Sequence, residues 1–93
     1  MPKIPQPFID RFGPWLEESH TPSWYRYARP GDDIYNDGTL VLIYFTESYV
    51  ATEHHNRWML TTMGTNRPYK TFASKDAEQA IAEFVAARLD DGK

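Results

Sequence analysis

The chain has 93 residues, 41% of them hydrophobic and 15% aromatic, and it contains no cysteine. That length is one domain, spanning 1–93, with one core, and such a domain buries only roughly 60–65% of the surface its unfolded chain exposes. Aromatic side chains supply the burial this core needs without a metal or a disulfide, and the net charge of −3 argues against a dedicated nucleic-acid binder, which carries a basic excess.

Residues 1–7 hold three of the seven prolines and read as an extended lead-in, since proline removes backbone donors and restricts its predecessor. The segment lacks the apolar stretch of a signal peptide. The longest apolar run, Leu40–Phe45, is far short of the roughly 20 residues a membrane span needs. The expectation is a cytoplasmic protein, in a cell or in an infected cell.

Phe8, Ile9, Phe12, Trp15 and Leu16 fall on one helical face, interrupted by Gly13-Pro14. Proline clashes with the carbonyl four residues back, so the pattern predicts a kinked helix or two short ones, with Glu17, Glu18 and Ser19 as its solvated end. His20–Ser23 reads as a loop. Trp24–Ala28 is aromatic-rich and strand-like. Pro30-Gly31-Asp32 turns the chain, and Asn36-Asp37-Gly38 is a second turn signal, because these residues tolerate positive φ.

Thr39–Thr46 is the strongest predicted strand. Leu40, Leu42 and Tyr44 lie on one face and Val41, Ile43 and Phe45 on the other, the signature of a central strand buried on both sides. Tyr49–Glu53 reads as a further strand or as the same one past a bulge. His54-His55-Asn56 is a turn. Arg57–Met63 alternates Trp58, Leu60 and Thr62 against Arg57, Met59, Thr61 and Met63. A loop at 64–68 precedes a short strand, Tyr69–Phe72. Ala77, Ala80, Ile81, Phe84, Val85 and Leu89 recur at helical spacing, with Ser74 as predicted N-cap and Gly92 as stop. The predicted fold is α+β: one antiparallel sheet of four or five strands, an N-terminal kinked helix and a C-terminal amphipathic helix on one face, and the other face free.

Chemistry-bearing patterns are sparse. His54 and His55 are adjacent, and neighbours in an extended chain point opposite ways, which makes them a poor chelating pair. Counting Asp33 as the first position of a calcium loop puts Tyr35 and Tyr44 where ligand oxygens are needed. No nucleophile-elbow sequence or glycine-rich phosphate loop is present. The expectation is a protein without catalytic site, metal or cofactor.

Charge distribution says more. From His54 to Lys75 the charged residues are Arg57, Arg67, Lys70 and Lys75, with no carboxylate, whereas Asp76–Asp91 is strongly acidic. Asp32, Asp33 and Asp37 form another acidic cluster. Arg57, Thr61, Arg67, Tyr69, Lys70, Asp32 and Asp33 are therefore the candidate partner-binding residues, the first five on or around the free sheet face. Six aromatics (Trp24, Tyr25, Tyr27, Tyr35, Tyr49 and Tyr69) exceed what one small core requires, and aromatics with Arg are enriched at interface cores.

The run Arg57-Trp58 followed by Tyr69-Lys70-Thr71-Phe72-Ala73-Ser74 and Asp76-Ala77-Glu78 resembles the strand-to-helix junction of the arm-binding domains of phage integrases. The resemblance covers the last third of the chain, rests on strand–turn–helix grammar and assigns no family; it implies DNA binding through the 57–75 stretch. The favoured expectation is a non-enzymatic binding protein that occludes a larger protein partner, in the manner of phage-encoded inhibitors of host defence or toxin-immunity proteins. DNA binding by the sheet face is the alternative, and a homo-oligomer such as a homodimer the third reading.

Overall fold

The computed structural model describes residues 2–65 and 69–91. Helix α1 (Gln6–Phe12) is followed by strands β1 (Leu16–Thr21), β2 (Trp24–Ala28), β3 (Leu40–Phe45) and β4 (Arg57–Thr62), and then by helix α2 (Ala77–Asp91). The four strands form one antiparallel sheet in chain order, β1-β2-β3-β4. The fold is α+β, with a helix at each end of the chain and β3 in the sheet interior, as its two apolar faces require.

Both helices pack on the same sheet face. There Tyr27, Leu40, Leu42 and Trp58 meet Phe8 of α1, Trp15, and Ala77 and Ala80 of α2. The two alanines let α2 approach closely. Phe8, Leu42 and Trp58 are at most 1% exposed, and each such burial contributes about 1.5–3 kcal/mol. Two indole N–H groups tie the layers together: Trp15 Nε1 donates to the Phe8 carbonyl at 3.2 Å and Trp58 Nε1 to Ser74 Oγ at 3.0 Å.

Several predicted elements change. No kinked helix forms over 8–18. α1 stops at Phe12 because Gly13 adopts φ 83°, its N–H bonding to the Ile9 carbonyl, and Pro14 cannot extend a helix. The segment read as a solvated helix end and loop is edge strand β1, joined to β2 by a tight turn at Pro22-Ser23. Its register shifts between Glu17 and Ser19, a bulge that twists an exposed edge away from further pairing.

Tyr49–Glu53 is not a strand; it is irregular and runs into a 3-10 turn, Thr52–His54. Tyr69–Phe72 reduces to one bridge, in which Phe72 exchanges both backbone hydrogen bonds with Trp58 at 2.8 Å. Ser74 does not cap a helix: its hydroxyl accepts the Trp58 indole, Ser74–Asp76 forms a 3-10 turn, and α2 starts at Ala77. The predicted stop, Gly92, lies outside the described residues. Among the described residues no helix is long and apolar enough to cross a membrane.

Candidate binding face

Strand alternation sends Trp24, Arg26 and Ala28 of β2, Val41, Ile43 and Phe45 of β3, and Arg57, Met59 and Thr61 of β4 to the face opposite the helices. This face is not bare, as the sequence suggested. At one end the 29–39 loop folds back so that Ile34 buries against Ala28 and Val41, with Met63 alongside. That loop is held by Arg29 Nε donating to Asp32 at 3.2 Å, by the Tyr35 N–H on Asp33 Oδ1 at 2.9 Å and by Thr39 Oγ1 donating to the Asp33 carbonyl at 2.7 Å.

At the other end an aromatic cluster covers Phe45. The rings of Tyr49, His54 and Tyr69 lie 4.5, 5.8 and 5.9 Å from that of Phe45, centroid to centroid. His54 Nδ1 sits 2.8 Å from Thr71 Oγ1, while His55 Nε2 donates to the Tyr49 carbonyl at 2.6 Å. The adjacent histidines thus serve different segments and do not converge. Burial raises the pKa of the Tyr49 hydroxyl, with smaller contributions from Tyr69 and Glu53. Among the described residues no group of three His, Asp or Glu side chains is placed to hold a metal ion.

Between the two covered ends the face opens. Trp24, Arg26, Ile43, Phe45, Tyr49 and Tyr69 line a cavity of about 250 Å3. A larger groove of about 710 Å3 shares Arg26, Ile43 and Tyr69, continues over Met59 and Thr61 and passes the edge of β4 to Lys70 and to Glu83 of α2. Tyr69, which lines the cavity, is 56% exposed, and Val50, next to Tyr49 in sequence, is 92% exposed.

The sequence-selected residues fare unevenly. Tyr69 lines both cavities and Thr61 the larger one. Arg57 is spent on structure, with Nε donating to Thr71 Oγ1 at 3.1 Å and Nη2 to the Thr71 carbonyl at 2.7 Å. Lys70 donates to Glu83 and lies 5.5 Å from the Phe72 ring centroid. That hydrogen bond, with another from Gln79, holds the Glu83 pKa below its ordinary value. Asp32 and Asp33 hold their own loop. Arg67 lies outside the described residues.

Arg26, which the sequence did not single out, is the cation that faces the opening. Its guanidinium lies 5.5 Å from the Trp24 ring centroid, and its Nε is shielded from solvent without a hydrogen-bond partner. Nothing in local sequence separates Arg26 from Arg57. Both alternate onto the same face, and only the tertiary contacts decide which one is satisfied.

Comparison of the chain with models of known protein families, with curated proteins and with solved structures gives no match. The fold and this face define a small α+β protein whose helices cover one side of a four-stranded sheet and whose other side carries an aromatic-walled opening.

Proposed function

We propose that this protein works by binding rather than by catalysis: in the cytoplasm of a cell or of an infected cell, it docks the open sheet face onto a larger protein and occludes that partner's surface. The observation that carries the reading is the cavity walled by Trp24, Phe45, Tyr49 and Tyr69, of which Tyr69 is itself exposed. Buried aromatic anchors with an arginine are the residue types that dominate binding energy at protein interfaces. The comparison with phage inhibitors of host defence and toxin-immunity proteins rests on size and charge and is an analogy.

The DNA-binding reading draws little support from the geometry. Arg57 is hydrogen-bonded to Thr71 and Lys70 is paired with Glu83, so two cations of the basic stretch are already engaged. DNA binding requires cations free to displace counterions from phosphate.

The test is affinity capture from host lysate with and without nuclease, comparing the wild type with Tyr49→Ser and Tyr69→Ser. A stoichiometric protein that survives nuclease and is lost from both variants supports the reading. Capture that vanishes with nuclease rejects it for nucleic acid. Light scattering of the isolated protein showing a dimer abolished by the same substitutions redirects the face to self-association.

A further inference from the structure

We infer that the aromatic cavity recognises an acidic protein segment, taking an apolar side chain between Trp24, Tyr49 and Tyr69 with a neighbouring Asp or Glu carboxylate on the Arg26 guanidinium. The inference rests on the binding reading above and adds the chemistry of the occupant.

A volume of about 250 Å3 falls below that of cavities for whole small ligands and suits one inserted side chain. The walls are aromatic and Ile43 is apolar, so the inserted group is apolar. Arg26 is the charged residue of the lining, and no carboxylate lies among the other five. Among the described residues its contact is the Trp24 ring, and the buried Nε has no acceptor. Ser19, its cross-strand neighbour on β1, likewise has a buried hydroxyl without partner.

A partly desolvated cation without a counter-charge is costly in the free protein. A carboxylate brought by a partner relieves that cost, and the planar fork of arginine matches carboxylate geometry. The same site suits a nucleic-acid strand less well. A strand-binding groove tracks successive phosphates with several cations, whereas the cavity supplies Arg26, the adjoining groove adds Lys70, which is already paired with Glu83, and the protein as a whole carries a net charge of −3.

The test titrates the full chain with three probes: a capped Asp-Phe-Asp peptide, its Asn-Phe-Asn counterpart and a short oligothymidine. Binding is read by NMR from the Arg26 Nε–Hε signal and the amides of Trp24, Tyr49 and Tyr69. The Asp peptide is expected to shift these signals saturably. The Asn peptide should bind at least about tenfold more weakly, as should the Asp peptide to Arg26→Met. Thermal stability of Arg26→Met should equal or exceed that of the wild type, because an unpaired cation is removed while its stem is kept; a purely structural arginine would not separate binding from stability in this way.

Equal affinity for the Asp and Asn peptides, or full affinity of Arg26→Met, overturns the carboxylate assignment while leaving the open face as a docking surface. Shifts with oligothymidine and not with peptide, or no shift with any probe at millimolar concentration, also overturn it. Failure of the underlying reading is seen separately, as Tyr69→Ser retaining full capture of the lysate partner.

Discussion

Tyr27, Leu42 and Trp58 point to one side of the sheet and Arg26, Ile43 and Met59 to the other, and the two sides are closed by different means. On the first side two helices lay apolar faces over the strands, and their side chains interlock, as Phe8 against Trp58 with ring centroids 6.3 Å apart. On the second, two irregular segments fold back over the ends, each held by its own hydrogen bonds, and the middle stays open. A regular element offers a repeating apolar stripe that fills space along the sheet. A loop must first satisfy its own backbone polar groups, so it covers less apolar area per residue. The side closed by helices is accordingly the more completely buried, and the side closed by loops keeps an opening.

The largest test of that contrast is Trp58→Ala. The ring is 1% exposed and its indole N–H is bonded to Ser74; truncation should cost about 3–5 kcal/mol in chemical denaturation. Trp24→Ala on the open side should cost no more than about 1–2 kcal/mol, in line with a partly buried site. Equal losses at the two tryptophans would remove the distinction between the faces.

Next in size are the two open-face arginines. Arg57→Met removes the donor to the carbonyl of Thr71, which is 8% exposed, and one of the two partners of its hydroxyl, His54 being the other, and should cost about 1–3 kcal/mol. Arg26→Met should cost nothing, so denaturation of the pair separates a satisfied arginine from an unsatisfied one.

Gly64→Ala probes how the end of the open face is built. Gly64 has φ +82°, and an added Cβ would lie 2.5 Å from Asp37 Oδ1, next to the hydrogen bond from Gly38 N–H to the Met63 carbonyl. The expected loss is about 1–2 kcal/mol, most of it from the left-handed backbone, since the Asp37 side chain can rotate away. No measurable loss would mean this joint is not a strained one.

The smallest effect at neutral pH belongs to Tyr27→Phe, on the helix-covered side. The Tyr27 hydroxyl is buried without a partner, so its removal should change stability by less than about 1 kcal/mol and in the favourable direction. Burial, with Glu17 and Tyr25 adding to it, pushes the Tyr27 pKa from 10.0 up to about 12. A pKa raised on folding contributes stability that is complete below the unfolded value and is lost as pH rises through the folded one. The wild-type denaturation midpoint should therefore fall between pH 10 and about 12, and that of Tyr27→Phe should fall less; identical alkaline profiles would show that the hydroxyl is solvated.

Legibility in the sequence followed how strongly an element repeats itself. β3 is an unbroken run of six apolar residues bounded by turn signals, β4 sends Trp58 and Leu60 to one face and Arg57, Met59 and Thr61 to the other, and α2 recurs at helical spacing; patterns of that length leave few competing structures. β1 offered Leu16, Glu17 and Glu18, all exposed in the fold. An edge strand packs on one side only and carries a bulge, so its apolar period is weak. Leu16 instead extended the α1 pattern across Gly13-Pro14, although that pair was the punctuation to heed. The candidate site was legible as a face but not as a set of residues. Thr61 and Tyr69 line the opening, whereas Arg57, Lys70, Asp32 and Asp33 are engaged in hydrogen bonds within the protein.

By itself the sequence determined the α+β class, the helix at each end, the central place of β3 and the two faces of β3 and β4. These follow from hydrophobic period and turn chemistry, both properties of neighbouring residues. Only the tertiary structure decided that β1 pairs as an edge strand, that two irregular segments cover the ends of the open face, and that Arg26 has no counter-charge among the described residues while Arg57 is satisfied by Thr71. Those outcomes depend on which groups meet across long sequence separations, and a polar side chain's state is set by the partner it finds rather than by the residues beside it.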